Sequence, residues 1–91
     1  MYLEIVTPEE TLYSGDVESV AVPGVEGSFQ MLDNHAAIVS LLTDGIVKIY
    51  GNITLDPAVA DKFTKGSGTT DFKISGGVLE MKDNKAIVLA D

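Results

Sequence analysis

Almost every apolar run in the chain is short and closed by turn-forming residues: Thr7-Pro8, Pro23-Gly24, Asp33-Asn34, Thr43-Asp44-Gly45, Gly51-Asn52, Ser75-Gly76-Gly77 and Asp83-Asn84. Punctuation at roughly ten-residue spacing leaves little room for helices of ordinary length and is the pattern of an all-β sandwich or barrel. The expected architecture is therefore all-β, a flattened sandwich or barrel of about eight to ten short strands.

Tyr2 to Val6 is rich in strand formers and is cut at Thr7-Pro8, because proline has no N–H to give a ladder. Leu12 to Val22 carries the clearest period-two signal; it predicts one strand bent or bulged at Gly15 and stopped at Pro23-Gly24. Phe29 to Leu32, Ile38 to Leu42 and Gly45 to Tyr50 are strand-length, and Gly51-Asn52 turns the chain into a short run, Ile53 to Leu55. Asp56-Pro57 then has the form of a helix N-cap followed by proline at the first helical position. Val59 and Phe63, four apart, would share a face of a short helix ending near Lys65 at Gly66-Ser67-Gly68, with a disordered loop as the alternative. Thr70 to Ser75, Gly77 to Lys82 and Lys85 to Ala90 complete the strands, and Asp83-Asn84 suits a tight hairpin between the last two.

The central stretch from Gly24 to Gly45 places a corner, Asp33-Asn34-His35, between two strands, with the only histidine at its exit. Asp33 and Asn34 tolerate left-handed dihedrals and hydrogen-bond their own downstream backbone. His35 has no cysteine anywhere to share a metal with, so fastening the corner or facing a partner is the stronger reading than ligation or base catalysis. Ser75-Gly76-Gly77 is followed by a strand, whereas a phosphate cradle needs a helix opening there; a bulge or a close backbone approach fits better. Glu9 and Glu10 are adjacent on an extended segment and so point to opposite faces, which suits solvation and not paired acid–base work.

Ninety-one residues make one domain, 1–91, with one core and no cleft between lobes for a cofactor. Fourteen carboxylates against six lysines give a net charge of -8, which disfavours nucleic acid and anionic membrane surfaces and favours neutral or basic partners. The absence of cysteine removes disulfides and thiolate chemistry, and no run approaches the ~20 apolar residues of a membrane span. A soluble, intracellular protein is the expectation.

Taken in order, Pro23-Gly24, Glu26-Gly27, His35-Ala36, Asp44-Gly45, Ser75-Gly76-Gly77 with Glu80 two places past Val78, and the ending Val88-Leu89-Ala90-Asp91 resemble the epsilon subunit of bacterial F-type ATP synthases. The likeness spans essentially the whole chain. It departs at Asp33-Asn34, where the family has Pro-Gly, at Ala37, where it has proline, at Gln30, where glycine is common, and in a long segment from Gly51 to Thr70.

The resemblance implies the N-terminal β-sandwich of a non-catalytic central-stalk subunit. Such a subunit couples rotation of the membrane c-ring to the gamma subunit for proton-driven ATP synthesis, and lies peripherally on the cytoplasmic face of the cell inner membrane. It implies no cofactor, no metal, and none of the inhibitory C-terminal helical hairpin. By position it puts Val25, Glu26, Gly27 and Ser28 against the c-ring, and Thr7, His35 and Ser40 against gamma. Two other classes stand beside this: a small β-sandwich enzyme pairing His35 with Asp33 or Asp44, and an adaptor that binds peptides at an exposed sheet edge.

Overall fold

The turn formers end the strands, and between them the alternation of side chains builds one buried layer. The computed structural model describes residues 1–91. Its ten strands are β1 (Tyr2–Val6), β2 (Thr11–Asp16), β3 (Ser19–Gly24), β4 (Gly27–Met31), β5 (Ile38–Leu42), β6 (Gly45–Tyr50), β7 (Thr64–Lys65), β8 (Thr69–Ile74), β9 (Gly77–Lys82) and β10 (Lys85–Ala90). Asp83 and Asn84 take φ of 52° and 60°, the paired left-handed values a two-residue hairpin needs to match strand twist, and they join β9 to β10. Asn34, at φ 62°, turns the predicted corner between β4 and β5.

Hydrogen-bonded neighbours run β2-β1-β10-β9-β5-β3-β6-β8-β7, with β4 paired to the other edge of β3. β5 meets β3 through the single pair Leu42–Gly24, so the sheet divides there into two halves, β2-β1-β10-β9-β5 and β4-β3-β6-β8-β7. Their inner faces share one core. Leu3, Ile5, Leu79, Met81 and Val88 come from the first half, and Val20, Val22, Met31, Val47 and Ile49 from the second. The expected all-β sandwich is the fold found.

Four local expectations change. The run from Leu12 to Val22 is two strands, because at Val17-Glu18 the chain crosses between the half-sheets. There Val17 exchanges backbone hydrogen bonds with Met1, and Glu18 N–H donates to Tyr50. Gly15 is no bulge but an ordinary member of β2 opposite Leu3; the register slips instead at Ile5/Val6. β3 also continues through Pro23-Gly24, for Pro23 needs no N–H on the edge it presents. Ile53 to Leu55 forms no strand.

The predicted helix over 56–65 reduces to one 3-10 turn, Ala60–Lys62, followed by β7. Asp56 bends the chain instead of capping a helix: its carboxylate accepts from Ala58 N–H at 2.9 Å and its carbonyl from Val59 N–H at 3.0 Å. Residues 51–63 thereby become a strap over the side of the sandwich between β2 and β8. Val59 and Phe63 are buried, Ile53 and Leu55 pack half-buried on the core, and the Phe63 ring lies 5.2 Å from that of Phe72. Lys62 Nζ reaches Glu10 Oε2 across the gap at 3.0 Å. Burial of the apolar side chains, not the solvated ion pair, holds the strap down. Phe63→Ala should therefore lower unfolding free energy in urea by about 3 kcal/mol, the low end for a core aromatic because the strap can partly collapse. Lys62→Ala should leave the midpoint almost unmoved.

Tyr13 on β2 is buried beneath this side and its hydroxyl reaches the Asp16 carbonyl at 3.4 Å. Burial first, and then the charge of Asp16, push its phenol above the ordinary 10.0. The folded chain holds that proton more tightly than the unfolded one, so the stability it contributes is full below pH 10.0 and is lost as pH rises through the folded-state value. Absorbance and urea titrations above pH 10.0 should show Tyr13→Phe losing one of the three phenolate steps and part of the alkaline loss of stability.

Candidate functional site

Pairing registers place Val6, Gly77, Ala90, Leu42, Gly24 and Gly45 at one level, so four turns gather at one end of the sandwich: 7–10, 25–26, 43–44 and 75–76. Glu9, Glu10, Glu26, Asp44 and Asp91 belong to this end, and those four turns hold no lysine. Lys62 from the strap neutralises Glu10, and the remaining carboxylates make the field at this end predominantly negative.

Val25, Glu26, Gly27 and Ser28 form the tip of the β3–β4 hairpin, all exposed. Val25 N–H donates to the Leu41 carbonyl at 3.1 Å, and Thr43 N–H to the Pro23 carbonyl at 2.8 Å, pinning the tip to β5. Gly24 is required by space: a Cβ there would stand 2.8 Å from the Gly27 carbonyl oxygen and 2.9 Å from the Phe29 ring.

The predicted gamma-facing residues do not converge. Thr7 lies at the acidic end, where its N–H and hydroxyl tie the β1–β2 turn to Glu10 at 2.9 and 3.2 Å. Ser40 is midway along β5, half-buried beside the hairpin tip. His35 is at the opposite end, with Asn34 N–H donating to Asn84 Oδ1 at 2.8 Å. His35 N–H donates to the Leu32 carbonyl, and Nδ1 is 2.7 Å from the Ala36 carbonyl oxygen, a contact that a proton on Nδ1 makes a hydrogen bond. The backbone of His35 thus closes its corner, and the ring touches only the neighbouring Ala36 carbonyl. Asp44 is at the far end of the sandwich and Asp33 is engaged by the Met1 nitrogen, so neither forms an acid–base pair with it. The structure contains no convergent set of three metal-ligating side chains. At Ser75-Gly76-Gly77 the close approach is real: a Cβ on Gly77 would collide with the Leu89 carbonyl.

What sequence reasoning missed is a face. Outward side chains of the first half-sheet align across strands as Leu41–Val78–Leu89–Val6 and Val39–Glu80–Ile87–Glu4. Val39 and Leu41 are 71% and 62% exposed. Toward the other end the same face turns charged: Lys85 pairs with Glu4 at 3.0 Å and lies over the Tyr2 ring. The outer face of the second half-sheet instead carries Lys48, Asp71 and Lys73, with Ile46 its one exposed large apolar side chain. The signal was available in β5, where Val39 and Leu41 stand at positions an antiparallel strand with one wet face gives to polar residues.

The sequence matches the family described as ATP synthase, Delta/Epsilon chain, beta-sandwich domain, over residues 1–91. The chain belongs to that family. Among its relatives, the ATP synthase epsilon chain of Leptospira borgpetersenii is 35% identical over 89 residues, which cover 98% of this chain and 59% of the relative. The ATP synthase epsilon chain of Chlorobium limicola is 36% identical, covering 98% of this chain and 86% of the relative. This family member thus spans about three-fifths of the length of several curated relatives it matches, 59% for the first. In solved structures, a chain of the central stalk and c-ring of Tetrahymena thermophila mitochondrial ATP synthase superposes with a TM-score of 0.74 at 20% identity, over 98% of this chain and 61% of that one.

Because the hairpin tip of this sandwich is held by contacts that leave Gly24 no room, Gly24→Ala should cost about 1–3 kcal/mol of unfolding free energy. Amide chemical shifts should move chiefly in residues 22–29 and 38–43, and a variant as stable as the parent would show the corner to be slack.

Proposed function

We propose that the chain is a non-catalytic rotor subunit of an F-type ATP synthase, coupling c-ring rotation to the gamma subunit in proton-driven ATP synthesis. Residues 1–91 act as one rigid domain, held peripherally at the cytoplasmic face of the cell inner membrane by their partners, with no cofactor of their own. No helix is long and apolar enough to cross a membrane. Family membership supports the reading, together with the description of the Tetrahymena neighbour as central stalk and c-ring.

The observation that carries it is the apolar band Leu41–Val78–Leu89–Val6 on one sheet face, lying next to the turns of the acidic end. Gamma covers the band. Burying a leucine-sized side chain there contributes about 1.5–3 kcal/mol, so a few such contacts hold a subunit on. The acidic end, with Val25, Glu26, Gly27 and Ser28 at the hairpin tip, faces the polar loops of the c-ring, where carboxylates meet basic groups and set orientation. Thr7 and Ser40 lie near enough to the band's upper border to meet gamma at its edge. His35, at the far end, meets gamma only if that subunit extends along the whole sandwich.

Torque transmission demands a body that does not shear. A sandwich with one shared core, a corner pinned by two backbone hydrogen bonds, and a strapped flank supplies it. Pull-down of gamma should fall at least about tenfold for Leu41→Asp, since a charge would be buried against apolar surface. Lys73→Asp, on the opposite face, should leave gamma binding unchanged. Glu26→Lys should keep gamma but lower coupling of ATP hydrolysis to proton pumping in the reassembled motor. Undiminished gamma retention by Leu41→Asp would remove the assignment of this face.

A further inference from the structure

The sandwich has two flanks, and the chain treats them differently. On the flank between β2 and β8, the strap inserts Val59 and Phe63 and closes the gap. On the other flank β4 and β5 splay apart and nothing fills the seam, leaving a groove of about 510 Å³ lined in part by Glu26, Ser28, Phe29, Ile38, Val39 and Ser40. β4 pairs with β3 alone.

Register tells which groups are free. The Pro23 carbonyl and the Val25 N–H point to β5, so the alternate residues Val20, Val22 and Gly24 turn their backbone groups to β4, opposite Met31, Phe29 and Gly27. Ser28 and Gln30 therefore direct their N–H and C=O outward, along an edge with no neighbour. Both residues are exposed, whereas the Phe29 side chain between them leans into the core. Natural sheets protect such an edge with charge, proline or a bulge, and β4 carries none of these.

We infer that the open edge of β4 accepts an extended segment of a partner polypeptide as an added strand, with small apolar side chains entering the seam and a basic residue meeting Glu26. The apolar wall of Phe29, Ile38 and Val39 calls for apolar side chains at alternate positions, as the strap supplies on the other flank. Glu26 is the only charged residue lining the groove, so the end of the segment near the hairpin tip should be cationic. A second copy of this chain is a poor occupant: each carries a net charge of -8, and antiparallel β4–β4 pairing centred on Phe29 would bring Glu26 of each copy toward Asp33 of the other. The groove shares Val39 and Leu41 with the proposed gamma face and Glu26 and Ser28 with the hairpin tip, whereas the outward amides of Ser28 and Gln30 belong to the β4 edge alone, so protection of those two amides, and not gamma retention, tests the strand-addition proposal.

The test uses the 91-residue chain and a short acetylated peptide alternating valine with threonine and ending in lysine, read by amide hydrogen exchange and NMR titration. Peptide binding should protect the Ser28 and Gln30 amides. A peptide of the same sequence, N-methylated along its pairing edge, should bind about tenfold more weakly, and Glu26→Lys should reverse the preference from a lysine-ended to a glutamate-ended peptide. The protein's own fold is untouched by the N-methylated probe, so that comparison stands whatever a variant does. Equal binding of the N-methylated peptide would overturn the strand-addition proposal in favour of a merely apolar groove. Protection at Val39 without Ser28 and Gln30 would overturn it too, as would protection that needs no peptide and rises with protein concentration, the sign of self-pairing. No binding at all would do the same, while gamma retention in the pull-down above would stay unaffected.

Discussion

Pro23 and Gly24 are the hinge on which the sandwich is folded. Up to Ala21 the second edge of β3 is paired with β6, and at Gly24 the same edge is taken by β5. The change happens where a residue without an N–H interrupts the row of donors while its carbonyl still accepts from Thr43. Neither half-sheet alone encloses a core. Val20 and Val22 need the first half-sheet above them, and Leu79 and Met81 need the second below; a single backbone corner brings the layers together. The cost of that arrangement is conformational: the hairpin beyond it must have a glycine at Gly24 and must lie tight against β5.

A sandwich folded from one sheet has two flanks to close, and hydrogen bonding cannot close both. On the β2 side the chain spends the residues 51–63 on an irregular strap, stabilised by what it buries and almost not at all by regular secondary structure. That explains why its sequence imitates a helix. Asp56-Pro57 and the Val59/Phe63 spacing serve equally to turn a chain and to set two apolar side chains down on one surface, and the pull of the core decided between the two. A helix of one or two turns has too few internal hydrogen bonds to compete with two buried side chains and an aromatic contact to Phe72.

Legibility follows from how local the determining forces are. Strand ends at Gly45, Gly77 and Asp83-Asn84 were readable because turn chemistry is fixed by two or three residues, and the left-handed Asn34 of the corner was readable for the same reason. The break at Val17-Glu18 was not, since it exists only because Met1 and Tyr50 wait across the gap to take the backbone hydrogen bonds. The family could be read from the order of its glycine, proline and histidine signposts. The wide apolar band could not be read from period alone: Val39 and Leu41 look like core residues until pairing shows that Ile38 and Leu42 already occupy the inward positions.

The polarity of the two sheet faces finally decides how a body this small presents itself to its neighbours. A free protein gains nothing from Val39 and Leu41 in water, and each stands at a place where threonine or lysine would serve an antiparallel strand as well. The opposite face shows that this chain can write such a surface, with Lys48 beside Asp71 and Lys73 next along. Asymmetry of that kind on a rigid body is what the proposed docking of gamma requires: one face is finished by solvent, and the other exposes the apolar band that the proposal assigns to a partner. In that proposal the carboxylates on the turns supply a further direction, because a predominantly negative end can orient the body while the apolar band holds it, and those two tasks are best carried on different surfaces.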